Sequence, residues 1–376
     1  MSDDLRSVLH EAAARPSSKL DREFIEQRAA TGRRLRFGSL AAAAAIVLLG
    51  TGLVIDRIVG HIGQQRSGMV TTAPPLMALE TPQIDKFDLP IEVRDFQEGA
   101  GELWAVGYSL DAQSGRMLGI GPSDPSTADV IHLDAAIEDV ALTNDSVWVS
   151  EVTKSGGVAL LQIDKQSHEV LRRFEAVGGP LGASGSYVWG IKQPQSDQIA
   201  SELARVDVAT GDVATFEMDS PVIDFAVDGS TLWGMSPTAD GADIGPASLL
   251  RIDAVTGTVL DRYEVNAVPS HPLVGVDEIW LRDSRGVIGV AKATGDVTRP
   301  DVPGSFAPIA VDPSGLWLLG GDELVHLDSA SGQLDRRLAV DLPVGSTLKP
   351  TAWSTDAAVW LGLLPHGLAR VETTSG

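Results

Sequence analysis

The sequence predicts an all-β fold: a seven-bladed β-propeller whose last blade is closed by an N-terminal strand, preceded by one transmembrane helix and a short helical segment. Three observations carry that prediction. An aliphatic-Trp pair opens a strand at Trp104, Trp148, Trp189, Trp233, Trp280, Trp317 and Trp360, at intervals of 44, 41, 44, 47, 37 and 43 residues. A period of that size holding several short strands marks a propeller. A turn of the form Asp-x-x-Thr/Ser-Gly recurs in step with the tryptophans, and residues 37–55 carry no charge.

The turn is clearest at Asp253-Ala-Val-Thr-Gly257, between Leu249–Ile252 and Val259–Val265. Its aspartate can accept backbone N–H groups inside the turn, and its glycine supplies a left-handed residue with no Cβ to clash. Asp207 to Gly211 and Asp328 to Gly332 repeat it, and Asp164 to His168 is a weaker copy. Lys292 to Gly295 and Glu372 to Gly376 keep the frame without the aspartate. Asp207, Asp253, Gly257, Asp328 and the seven tryptophans therefore read as architecture. A large ring repeated once per blade packs between sheets.

From the start of the chain, residues 1–36 hold eight basic and six acidic side chains. Ser2-Asp3-Asp4 can cap a helix that Pro16 stops, and Ser18-Lys-Leu-Asp21 can start a second ending near Thr31-Gly32. Such a segment is too short for a core of its own and is offered to a cytoplasmic partner. As a helix, residues 37–55 span roughly 28 Å, close to the hydrocarbon thickness of a bilayer. Arg33, Arg34 and Arg36 crowd its N-terminal side, which keeps residues 1–36 in the cytoplasm and exports the rest. A cleaved secretory or twin-arginine signal is the rival reading, but no small-x-small site directly follows the apolar run. Residues 56–75, with Gly60, Gly63, Gly68 and Pro74-Pro75, form a flexible linker.

Residues 76–376 are assigned to the propeller, with strands A to D counted outward from the axis. The first blade takes Ile91–Phe96, Leu103–Tyr108, Arg116–Ile120 and Asp129–Leu133, with Asp111 to Gly115 joining B to C. The second takes Ile137–Leu142, Ser146–Val152, Val158–Ile163 and Val170–Ala176. In the third, only Tyr187–Ile191, Leu203–Val208 and Val213–Phe216 are assigned, with no A strand. Val222–Val227 precedes the Trp233 strand in the fourth; the fifth starts at Leu273, the sixth at Pro308 and the seventh at Thr351. The seventh has no strand after its turn, so a strand within Met77–Phe87 is expected to complete it, since a bare edge is a liability.

Composition bounds function. From Asp56 onward there are 45 acidic side chains against 21 basic, within a net charge of −22, so nucleic acid and anionic surfaces are repelled. With no cysteine, disulfides and thiolate metal sites are excluded.

The Trp and turn motifs resemble those of the YVTN and PQQ-like propeller superfamily, including NHL-like and virginiamycin B lyase-like rings, from Leu76 to the end. A quinone dehydrogenase of that superfamily would imply a cofactor, a Ca²⁺ ligand set and a vicinal disulfide; without cysteine none of this is supported, and no cofactor or metal is expected. The lyase resemblance implies a histidine acid or base beside carboxylates that hold Mg²⁺. Of the six histidines beyond the apolar run, His271, between Ser270 and Pro272, is the best single candidate.

Ligand contacts are expected on the loops joining B to C and D to the next A, which share one face. The longest are Ser236–Ala247, with Asp240 and Asp243, and Lys192–Ser201, with Lys192 and Asp197. The expectation is a single-pass membrane protein with an extracytoplasmic propeller, a non-catalytic binding, scaffolding or sensory domain for a protein, peptide or glycan. The alternative is a metal-dependent lyase or hydrolase.

Overall fold

The computed structural model describes residues 78–376 except 90, 100–101, 110–114, 122–123, 134, 154–155, 194–201, 238–246, 268–269, 284, 303–305, 341–351, 355–357, 364–366 and 374–376. The helices expected in 1–36, the membrane span expected at 37–55 and the linker at 56–75 lie outside the described residues. Among the described residues, no helix is long and apolar enough to cross a membrane.

The described strands follow the order β1 (Ile84–Phe87), β2 (Ile91–Gly99), β3 (Glu102–Ser109), β4 (Gly115–Gly121) and β5 (Asp124–Leu133). Next come β6 (Ala136–Leu142), β7 (Ser146–Val152), β8 (Val158–Asp164), β9 (Val170–Glu175), β10 (Val177–Ser184), β11 (Tyr187–Lys192), β12 (Glu202–Asp207) and β13 (Val213–Glu217). They continue with β14 (Asp224–Asp228), β15 (Thr231–Pro237), β16 (Ala247–Asp253), β17 (Val259–Ala267), β18 (Leu273–Val274), β19 (Glu278–Asp283), β20 (Gly286–Ala291) and β21 (Val297–Thr298). The last are β22 (Ala307–Asp312), β23 (Gly315–Gly320), β24 (Glu323–Asp328), β25 (Gln333–Ala339), β26 (Ala352–Ser354), β27 (Ala358–Gly362) and β28 (Leu368–Glu372).

Together they form an all-β propeller of seven four-stranded antiparallel sheets, numbered here as blades one to seven from β2 onward. The inner strands β2, β6, β10, β14, β18, β22 and β26 touch in a closed cycle, β26 returning to β2. Blade seven has the order β26-β27-β28-β1, so its outer strand comes from the N-terminal side. Ile84 lies opposite Val371 and Phe87 opposite Leu368.

Blade three has an inner strand, β10, where the sequence reading assigned none. Its sequence, Val-Gly-Gly-Pro-Leu-Gly-Ala-Ser, hides it, because glycine and proline read as loop and the pairing with β11 shifts between Gly178 and Gly182. The connection from β9 is the single residue Ala176, left-handed at φ 60°.

One arrangement holds neighbouring blades together. The strand-B indoles are buried, and each removes roughly 150–250 Å² from water, on the order of 4–6 kcal/mol. An outer-strand aromatic of the same blade lies over the indole: Phe174 on Trp148, Phe216 on Trp189 and Tyr263 on Trp233, with ring centroids 5.9, 5.3 and 6.2 Å apart. In blades three and four its other side meets the turn of the next blade. A Cβ at Gly257 would fall into the Phe216 ring, and one at Gly295 into the Tyr263 ring, while both glycines are left-handed at φ 69° and 75°. Arginines add a second tie: Arg172 Nη2 donates to Ala209 O at 2.9 Å, and Arg205 Nη1 donates to Val255 O, each in the next blade's turn. Within the turn, Asp253 Oδ1 accepts from the amides of Thr256 and Val255 at 2.6 and 2.9 Å, which holds its carboxyl below the ordinary range.

The indole N–H groups differ among blades. Trp148 Nε1 donates to Thr143 Oγ1 at 3.2 Å and Trp317 Nε1 to Asp312 Oδ2 at 2.7 Å. Trp189 and Trp233 have no such acceptor. The corresponding side chains face the next blade instead, Ser184 Oγ donating to Gly229 O at 2.5 Å and Asp228 pairing with Lys292 at 2.6 Å. An orphaned buried donor costs about 1–3 kcal/mol, which these links between blades offset in part.

Two substitutions of opposite sign follow. Ala176→Gly relieves a left-handed alanine and is expected to raise stability by up to about 1 kcal/mol. Gly295→Ala adds both that strain and a clash with Tyr263 and is expected to lower it by about 2 kcal/mol or more. Thermal melts of the two variants check both signs.

Candidate functional site

Register places the candidate residues. Asp224, the first residue of β14, lies opposite Met235 near the end of β15, and Pro237 pairs with Ala247 across the loop 238–246. Inner strands therefore begin at the end of the ring where second strands finish. His271, two residues before β18, and Lys192, the last residue of β11, belong to this end. Asp197, Asp240 and Asp243 lie outside the described residues.

Lys192 and His271 each take their own carboxylate. Lys192 Nζ is 2.7 Å from Glu202 Oε2, with both side chains about 40 % exposed, a pair worth about 0–1 kcal/mol. His271 Nδ1 is 2.9 Å from Asp224 Oδ1, joining blade five to blade four. An ionised carboxylate only accepts, so the proton between them sits on Nδ1. This orients the ring and leaves Nε2 outside that contact. Asp224 Oδ1 also accepts its neighbour Phe225's N–H at 2.9 Å.

Asp224 was not singled out from sequence, yet it belongs to a repeated position. Counting two residues back from the inner-strand partner of each strand-B tryptophan gives Asp95, Asp139, Asp224 and His271 in blades one, two, four and five. Pro180 and Pro308 fill it in blades three and six. Pairing shifts beside this position in blades one, two, three and six, freeing a backbone amide. Val140 N–H is satisfied by Asp139 Oδ1 at 2.9 Å and Asp95 Oδ2 at 3.2 Å. Asp139 thus caps the bulge of blade two, and Asp224 takes the matching amide, Phe225 N–H, in a strand whose pairing does not shift.

At the opposite end, blade six holds a second histidine centre that sequence reasoning passed over. His326, 2 % exposed, has Nδ1 2.6 Å from Asp335 Oδ1 and Nε2 3.5 Å from Asp312 Oδ1. Burial alone would push the imidazole pKa down, but the hydrogen bonds to Asp312 and Asp335 outweigh it and hold it above the usual value. Burial likewise pushes Asp312 up, and the bonds from His326, Ser314 and Trp317 bring its carboxyl far below the usual range.

Ser314 Oγ lies 3.3 Å from His326 Nε2, an order reminiscent of a nucleophile, a base and an acid. The hydroxyl instead donates to Asp312 Oδ1 at 2.6 Å, which also accepts the amides of Ser314 and Gly315 at 2.8 and 2.9 Å. With Asp335 on one ring nitrogen and Asp312 on the other, both nitrogens are engaged, so the cluster is a structural network. The turn Asp312-Pro-Ser-Gly315 was its only sequence signal.

A cleft of about 250 Å³ opens on blade three beside Tyr187, Arg205, Asp207, Thr210 and Asp212. Its guanidinium lies 4.3 Å from the Tyr187 ring centroid and is engaged with Val255 O across the seam. Among the described residues, no three histidine, aspartate or glutamate side chains converge as a metal requires.

No protein-family model matches the chain, and no curated protein matches it. Solved structures do. The WD40 domain of Pan2 from Neurospora crassa is 10% identical with a TM-score of 0.56, over 76% of this chain and 90% of that one. Hydrazine synthase from Kuenenia stuttgartiensis is 15% identical with a TM-score of 0.56, over 82% of this chain and 100% of that one. PorZ, a bacterial surface component of the type-IX secretion system of Porphyromonas gingivalis, is 13% identical with a TM-score of 0.50, over 78% of this chain and 39% of that one. At such identities the likeness establishes the propeller class; it does not single out the YVTN and PQQ-like superfamily, nor any chemistry.

The blade-six network gives a pH signature. The raised His326 pKa means its contribution is complete below about pH 6.5, the unfolded value, and is lost as pH rises through the folded one. The lowered Asp312 pKa means its contribution is present above about pH 4 and is lost as pH falls through the folded value. The melting-temperature gap between the protein and its His326→Ala variant is therefore expected to be widest between about pH 4.5 and 6.5 and to narrow on both sides. Melts from pH 3 to 9 check it.

Proposed function

We propose that the chain is a membrane-anchored extracytoplasmic propeller that binds or scaffolds a protein, peptide or glycan without catalysis. Residues 37–55 are the anchor and residues 1–36 the cytoplasmic part in this reading. The observation that carries it is the division of labour between side chains. The repeated tryptophans pack at the seams, and the turn aspartates and the His326 network are tied up within their own blades, whereas the end bearing Lys192 and His271 also carries the long connections. Binding residues concentrate on such connections over a rigid scaffold. The likeness in fold to PorZ, a bacterial surface component of a secretion system, supports this reading.

The Asp224–His271 dyad keeps the lyase or hydrolase alternative as a second reading, since it presents an oriented imidazole. A melting shift with Mg²⁺ that disappears in His271→Ala would favour it.

Photo-cross-linking residues placed singly in the full-length protein at Lys192 and His271, and at Thr210 and Ser331 in turns of the opposite end, separate the faces. In native membranes, specific adducts are expected from the first pair and not from the second. Adducts from the turns alone, or from no position, would contradict the proposed face.

A further inference from the structure

The segment before the ring does more than supply an edge strand. Four backbone pairs join β1 to β28, extended by Glu372 N–H donating to Gln83 O at 3.0 Å. Upstream, Glu80 makes a parallel bridge to Leu338 on the outer strand of blade six. Its N–H donates to Arg337 O and its carbonyl accepts from Ala339 N, both at 2.9 Å. Residues Glu80 to Phe87 thus lie across the edges of two adjacent blades.

Its side chains enter two seams. Ile84 packs against the cluster shared by blades six and seven, which includes Trp317, Leu338, Val359 and Val371. Phe87 stacks on Trp360 at 5.9 Å and joins the cluster of Ile91, Phe96 and Leu103 in blade one. A Cβ at Gly367 would stand 2.6 Å from Phe87 O, so the following strand closes directly over the end of β1.

The ties are few. Asp85 and Arg370 stand 3.6 Å apart, partly exposed, a pair worth about 0–1 kcal/mol. Leu79 is 50% exposed, and Pro82 interrupts pairing between the bridge and β1. Beneath this short element lie Leu368, Ala369 and Val371, all buried. A four-residue edge strand joined to one isolated bridge is a short element, and short edge elements belong to the low-stability end of a structure.

We infer that Glu80–Phe87 is a clasp that energetically couples the N-terminal segment to blade seven and both of its seams. A pull or a partner acting before Glu80 meets the bridge on β25 first, then β1, and so reaches the sheet whose inner strand β26 completes the ring. Coupling of this kind is reciprocal: a ligand that tightens blade seven tightens the clasp. The inference does not depend on whether residues 37–55 cross a membrane.

Amide hydrogen exchange on the full-length protein tests it. Glu80→Pro removes the donor to Arg337 O while leaving β1 unchanged. Coupling requires protection in β28, at Leu368–Val371, to fall about tenfold or more, with β11 and β15 unaffected. A loss confined to Arg337–Ala339 would overturn it. Because the chain has no cysteine, Asp85→Cys with Arg370→Cys places a single disulfide across β1 and β28. Oxidation has to restore β28 protection in the Glu80→Pro background; no recovery would also overturn the inference. Should Glu80→Pro not fold, the locked pair alone decides, since oxidation must then slow exchange at Ala339 in blade six by about threefold or more, and an unchanged rate would be fatal.

Discussion

The seams that follow blades three and four depend on a contact in which an outer-strand ring lies between its own blade's tryptophan and the turn of the next blade. Trp189, Phe216 and Gly257 form one such stack, and Trp233, Tyr263 and Gly295 another. It joins two requirements at one residue, since the turn needs a left-handed position and the neighbouring ring needs the space a Cβ would take. A propeller has no single core; it has as many interfaces as blades, and each must be dry and close-packed. Where the sequence departs from the pattern, the seam is rebuilt. His168 takes the left-handed place at φ 62° and meets Trp104 edge-on, with ring centroids 6.2 Å apart, while in blade six His326, on the third strand opposite Trp317, lies 4.7 Å from that indole.

This explains which features could be read in the chain and which could not. Tryptophan spacing and Asp-x-x-Thr/Ser-Gly turns are local and repeated, so periodicity exposes them, and the strand closing the last blade follows from the edge it covers. β10 escaped because Gly178, Gly179, Pro180 and Gly182 carry loop chemistry, and only β11 and the neighbouring blades impose extended backbone. Tertiary context overrides propensity there. The same holds for side-chain partners. Lys192 and His271 were visible as polar residues at loop ends, but Asp224 lies 47 residues from His271 and meets it only because consecutive inner strands are neighbours. His326 looked like any strand residue until Asp312 and Asp335 closed on it from a turn and an outer strand.

The two ends of the ring differ in what their polar groups do. At the end of the turns, carboxylates accept backbone amides, as Asp207 and Asp253 do, or hold His326, so their charge is tied to shape. At the other end Asp139 and Asp224 also accept amides, but the pair of Lys192 with Glu202 is partly exposed, as is the His271 side of its pair with the buried Asp224. Exposed pairs exchange partners at little energetic cost, which suits a surface that meets something else. An acidic body with a rigid frame and one adaptable end is a coherent physical object for recognition.

The central claim is that seam glycines are set by the ring packed on them. A double-mutant cycle between Phe216→Ala and Gly257→Ala, read by equilibrium unfolding, tests it most directly. With Phe216 removed, the added methyl at position 257 no longer meets a ring and only backbone strain remains, so the two effects must be non-additive by about 1 kcal/mol or more. Additivity within about 0.3–0.5 kcal/mol would show that the turn answers to its own conformation alone, and the account of the seam would fail.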